Sequence, residues 1–151
     1  MSQENVEVIR RLLPGPDVDI AQALRDDDLW AVASKAWAAV AHPGFECVLD
    51  WQAQRYTYVG VDGIREAWLE WVGPWESYST EIEELIDAGD GVVTLVRDHA
   101  RRKGIDGEID LVAANVSVFR DGKILRIEFH SSRAKALEAV GLSEQDAHAD
   151  F

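Results

Sequence analysis

Residues 118–129 read VFRDGKILRIEF. Two runs rich in β-branched and aromatic side chains meet at Asp121-Gly122, a pair that favours the left-handed backbone of a two-residue hairpin turn. The second arm, Lys123 to His130, predicts the last strand of a sheet. The first arm extends back to Ile109 and is apolar on both parities, with Val112, Val116 and Val118 on one and Leu111 and Phe119 on the other. Burial of both faces follows, one against helices and the other in a subunit contact. Further upstream, the polar segment Lys103 to Gly107 and the turn Gly89-Asp90-Gly91 separate two more long strands beginning near Tyr78. Four strands in an antiparallel meander result. Downstream, Ala134, Leu137 and Val140 recur at helical spacing, and Gly141 ends that short helix.

The N-terminal half has a different period. Val6, Ile9 and Leu13 predict a helix closed by Pro14-Gly15-Pro16. Asp17 is read as the cap of a second helix with Ile20, Ala23 and Leu24. A third helix, about Asp28 to Ala41, carries Trp30, Ala33, Trp37, Val40 and Ala41 on one stripe. The acidic run Asp26-Asp27-Asp28 marks its boundary, since carboxylates cap and favour helix N-termini. A strand follows from Phe45 to Trp51, then a loop with Tyr56 and Tyr58. From Asp62 to Val72 a fourth helix places Ile64, Ala67, Trp68, Trp71 and Val72 on one face. The fold class is α+β: N-terminal helices packed on a strongly curved, mainly antiparallel sheet, leaving a cone with an open mouth. Residues 1–151 form a single domain, with an ordered core over 2–142 and a flexible tail over 143–151.

The chain holds 28 acidic and 15 basic residues, a formal charge of −13. That field repels polyanions, so neither nucleic acid nor an anionic membrane surface is expected as a partner. No apolar run approaches the ~20 residues that span a bilayer, and the start lacks a signal-peptide core, so the expected location is the cytoplasm. The single cysteine, Cys47, excludes an intrachain disulfide. His42, His99, His130 and His148 show no paired ligand spacing, so no metal is expected, and no phosphate loop or nucleophile elbow points to a cofactor.

Several phrases carry a likeness to a known group: HPGFE (42–46), YVGVDGIREAWLEW (58–71), EELIDAGDGVVTLVRDHARRKG (83–104), VFRDGKILRIEF (118–129) and SRAKALEAVGL (132–142). Together they resemble the SnoaL-like branch of the nuclear transport factor 2-like, cystatin-like superfamily, over about Val6 to Leu142. The resemblance implies a cone-shaped barrel with an apolar pocket for a small hydrophobic molecule, commonly in a homodimer formed through the convex sheet face. It also implies a choice of activities: ketosteroid isomerase-like or polyketide cyclase-like proton transfer on a carbonyl compound, or a non-catalytic binding or association module.

Ketosteroid isomerases use an aspartate base with tyrosine and aspartic acid oxyanion donors. The residues here that could correspond are Asp50, Tyr56, Tyr58 and Asp98, none within a specific motif. Limonene epoxide hydrolases place an arginine and a carboxylate two apart on a strand, whereas this chain has Arg97-Asp98-His99. Strand alternation puts Arg97 and His99 on one face and Asp98 on the other. Arg97 and His99 share the parity of Val93 and Leu95, an apolar face gaining a cation and an imidazole at a pocket rim. The competing reading pairs them with Glu108 or Asp110 across the hairpin. His99, Arg97 and Asp50 are the catalytic candidates. Trp51, Tyr56 and Tyr58 are candidates for the pocket mouth, and Trp68 and Trp71 for its aromatic lining, although helical tryptophans also fill cores. Asn115 interrupts an apolar parity and is either a pocket residue or a structural hydrogen-bonding group. Val112, Val116 and Val118, with Arg126 and Glu128 beside them, are read as part of the dimer face.

Overall fold

Asp121 and Gly122 adopt φ of 53° and 76°, as the hairpin reading requires. The computed structural model describes residues 2–51 and 54–148. Helices α1 (Ser2–Leu12), α2 (Ile20–Arg25) and α3 (Asp27–Val40) precede strands β1 (Ala41–Trp51) and β2 (Gln54–Val59). Helix α4 (Gly60–Val72) leads into β3 (Trp75–Asp87), β4 (Gly91–Arg102), β5 (Ile109–Arg120) and β6 (Lys123–His130). Helix α5 (Arg133–Glu138) follows. The six strands form one mixed sheet in the order β2-β1-β6-β5-β4-β3, unclosed, with β1 parallel to β6 and every other pair antiparallel.

Register shifts at Ile82/Glu84 in β3 and at Val118/Phe119 in β5 bend the sheet, because an extra residue on one strand raises local twist. The concave face gathers Cys47, Leu49, Val92, Phe119, Ile127 and Phe129 into one core with Ile9, Leu24, Trp30, Trp37 and Ile64 from the helices. The opposite face forms a smaller core in which Val93, Leu95, Ala114 and Val116 are covered by Ala136 and Leu137 of α5. Alternation along β4 therefore sends Val93 and Leu95 outward, beneath α5 of the same chain. Val116, expected in a subunit contact, lies under that helix, whereas Val112 is exposed.

Two local expectations change. Asp19, not Asp17, caps α2, and its carboxylate accepts the Gln22 N–H. Asp26 caps α3 by accepting from the Asp28 and Leu29 amides at 2.9 and 3.1 Å, so the acidic run does bound a helix. Tyr56 and Tyr58, read as loop residues, lie in edge strand β2, paired with Leu49 and Cys47. In the stretch expected as a tail, Glu144–Asp146 form a 3-10 turn, and the His148 amide donates to Glu84 at 2.8 Å. Residues 149–151 lie outside the described residues.

Helix α4 approaches β2 so closely that a Cβ on Gly63 would sit 2.9 Å from both the carbonyl carbon and the Cβ of Tyr58. Alanine would favour the helix by about 1 kcal/mol on propensity alone. The clash with strand backbone opposes this, and forced overpacking costs roughly 1–3 kcal/mol. Gly63→Ala is therefore expected to lower the urea midpoint; an unchanged or raised midpoint would show that the junction yields freely.

Candidate functional site

Strand β4 directs Val92, Val96, Asp98, Ala100 and Arg102 to the concave side by simple alternation. Asp98 is 3% exposed. Its Oδ1 accepts the Thr80 hydroxyl at 2.6 Å, its Oδ2 accepts the Tyr78 hydroxyl, and the Tyr78 oxygen in turn accepts the Trp71 indole N–H at 2.6 Å. Thr80 faces Asp98 and Tyr78 faces Ala100 across the β3–β4 ladder, so their alternation places both hydroxyls on the acid. Trp71 arrives from α4. The Tyr78 end of β3 is fixed from α2: Asp19 accepts the Tyr78 amide at 3.2 Å, and Arg25 donates to the Trp75 carbonyl at 2.8 Å.

This chain of donors ends at a cavity of about 250 Å³, lined by Trp51, Trp71, Trp75, Tyr78, Asp98 and Arg102, with Leu111–Ala113 of β5 and Ser131 completing the wall. Burial pushes the Asp98 carboxyl above its ordinary value, against the opposing hydrogen bonds from Thr80 and Tyr78. Burial, reinforced by the Asp98 charge, also pushes the Tyr78 phenol up. A carboxylate in this state is a stronger base than one in water.

A second cavity of about 320 Å³ lies over the inner side of β2 and is lined by Leu49, Trp51, Gln54, Tyr56, Tyr58 and Glu70. Trp51, Tyr56 and Tyr58 thus share one hollow, and Trp51 also borders the other. Trp68 packs edge-on against Phe129, with centroids 4.9 Å apart, and borders an apolar crevice between the helices. Asn115 is buried on the concave face opposite Thr94 and Phe129, two residues beyond Ala113 and deeper in the cone.

The three catalytic candidates are not brought together. Arg97 and His99 are on the convex side, because Val93 and Leu95, whose parity they share, face α5 and not the cone. Arg97 pairs with Glu83 at 3.1 Å. His99 Nδ1 lies 2.7 Å from Asp110 and Nε2 lies 3.5 Å from Glu81. The hydrogen bond to Asp110, aided by Glu81, raises the imidazole above its ordinary value. This histidine pairs across the hairpin and also borders a separate cavity of about 220 Å³ with Asp17, Asp19, Ser77 and Glu108. Its ring and the Glu108 and Asp110 carboxylates bring ligand-type atoms within 4.8 Å of one another at the surface.

Asp50 is also convex. It binds Arg55 at 3.1 Å and lies 3.5 Å from His130. Glu128, beside it, is buried and pairs with Arg55 at 2.9 Å, Arg126 at 2.8 Å and His130 at 2.9 Å. Burial would raise Glu128, but the His130 hydrogen bond and the two guanidinium charges override it and lower the carboxyl to about 2.

Tyr78 and Thr80 escaped the sequence reading. Their signal was the alternation Tyr78, Thr80, Ile82 on β3 facing Val96, Asp98, Ala100 on β4, an acid embedded in an apolar parity.

The profile of the SnoaL-like domain family matches residues 18–127, and the chain belongs to that family. No curated protein matches at a significant level. Among solved structures, a protein from Jannaschia sp. CCS1 named as a SnoaL-like polyketide cyclase aligns with a TM-score of 0.62 at 16% identity, covering 85% of each chain. TerC, crystallised with polyporic acid, gives 0.59 at 19% identity, covering 91% of this chain and 98% of its own. A protein of ketosteroid isomerase-like fold from Catenulispora acidiphila, in complex with trimethylamine, gives 0.54 at 18% identity, covering 89% of this chain and all of its own. These likenesses establish a shared fold.

Proposed function

We infer that this protein takes a small apolar carbonyl compound into the cavity at the cone mouth and moves a proton at the carbon beside the carbonyl, with Asp98 as the base. The observation that carries the reading is the Asp98 carboxyl itself: buried, oriented by two hydroxyls and bordering an aromatic-lined cavity. In the step, an Asp98 oxygen takes the α-proton and the electron pair moves onto the carbonyl oxygen. Ser131, which borders the cavity, is the residue assigned to donate to that oxygen. Return of the proton to the same or a neighbouring carbon gives exchange or isomerisation. Thr80 and Tyr78 act as positioning residues, holding the carboxyl plane fixed, and Trp71 holds Tyr78.

The test is proton exchange of 2-tetralone, a compact bicyclic ketone, in deuterium oxide, followed by NMR together with line broadening of the bound ketone. Exchange faster than buffer, lost in Asp98→Asn, supports the reading. A ketone that binds but exchanges no faster than with the variant overturns proton transfer, and absence of binding by ketones of this size overturns the ligand class.

A further inference from the structure

Arg102 is the last residue of β4 and lies on the concave parity, four residues beyond Asp98, about 13 Å along the strand at the usual rise. Its cross-strand partner is Trp75, and its guanidinium carbon stands 5.5 Å from the Trp75 ring centroid, while both side chains line the Asp98 cavity. The neighbouring Arg101 faces the other way and is taken by Glu76 at 2.7 Å. Arg55, Arg65, Arg97, Arg126 and Arg133 likewise each hold a carboxylate. Among the described residues no carboxylate pairs with Arg102, in a chain with 28 acids. The one acid on the cavity wall, Asp98, has its oxygens engaged by Thr80 and Tyr78.

The cavity is therefore polarised. Its inner end holds a hydroxyl-bound carboxyl, its walls carry three tryptophans, and its lip carries an exposed guanidinium over the Trp75 face with no carboxylate partner among the described residues. A guanidinium in that state matches a carboxylate in two-point geometry, and stacking on Trp75 reduces the rotamer freedom lost on binding. The overall charge of −13 repels free anions, so anion selection here must come from a local contact.

We propose that the ligand of this cavity is an amphipathic monoanion: a flat apolar body with a carboxylate at one end, held by Arg102 at the lip, and its reactive carbonyl at the other, beside Asp98. This rests on the function inferred above and adds the substrate's charge and its orientation.

The experiment compares 2-naphthoate with 2-naphthamide, equal in shape and different in charge, by titration calorimetry against the intact protein and Arg102→Gln at low and moderate salt. The expected result is about tenfold tighter binding of the acid than of the amide by wild type, the size of one charge-assisted hydrogen-bonded pair. That preference weakens with salt and disappears in Arg102→Gln. Equal binding of the two probes by wild type, or an acid preference that survives Arg102→Gln, overturns the anion inference and leaves the cavity reading standing. Binding of neither probe removes both. A thermal melt of Arg102→Gln matching wild type shows that a lost preference is not a lost fold.

Discussion

Asp98→Asn is expected to exchange the α-protons of a bound ketone at least ~100-fold more slowly than wild type, the usual scale for removal of a general base, and to be more stable than wild type at neutral pH. The two effects share a cause. Burial raises the Asp98 carboxyl above its ordinary 3.8 in the folded protein, so ionisation is easier in the unfolded chain. The stability associated with its neutral form is complete below pH 3.8 and is lost as pH rises through the raised folded value. Asparagine carries no such cost, and its amide still offers an acceptor to a hydroxyl. Calorimetric melts from acid to neutral pH should show the variant gaining on wild type as pH rises. A constant difference would mean that the carboxyl does not titrate differently on folding. In the exchange assay the wild-type rate should climb with pH through a midpoint above the common carboxylate range, and the variant should show no such midpoint.

Glu128→Gln is expected to act in the opposite direction. The Glu128 side chain is 4% exposed and sits among Arg55, Arg126 and His130, and its carboxyl is lowered from 4.5 to about 2. A depressed carboxyl contributes stability that is fully present above the unfolded value and is lost as pH falls toward the folded one. The size of the shift corresponds to a contribution on the order of 3 kcal/mol at neutral pH. Glutamine keeps the shape and loses the charge, so the variant should be destabilised by about that amount. The deficit should shrink between about pH 4.5 and about pH 2. Urea unfolding of both proteins across that window measures it; a deficit independent of pH would assign the loss to packing.

Much of the architecture follows from local chemistry legible in the chain. Asp121-Gly122 supplies the backbone of its turn, Gly89 to Gly91 and Lys103 to Gly107 separate the long strands, and the α4 stripe points Ile64 and Ala67 into the core. Tyr56 and Tyr58 read as loop because edge strand β2 is largely exposed and its polar residues interrupt any apolar run. The site was harder. Apolar alternation shows that a face is buried without showing what buries it, and β4 is buried on both: against the N-terminal helices on one side and beneath the six-residue α5 on the other. The charged run Arg97-Asp98-His99 therefore suggested Arg97 and His99, which share the α5 side, while Asp98, between them, entered the cone. Only the exact register of the β3–β4 hairpin, shifted by the irregularity at Ile82/Glu84, places Thr80 and Tyr78 on it.

Because the sheet does not close, it ends in two strands with unpaired backbone, β2 and β3. The longer, β3, carries Glu76, Glu81, Glu83, Glu84 and Asp87 along its 13 residues. A second copy adding itself to this edge would have to strip water from these carboxylates and from the arginines that Glu76 and Glu83 hold, and that cost opposes strand-by-strand growth into fibres. The other edge is only six residues long, too short to template an extended ladder. The acidity of the chain thus does local work at the seam where an open sheet is most vulnerable to aggregation.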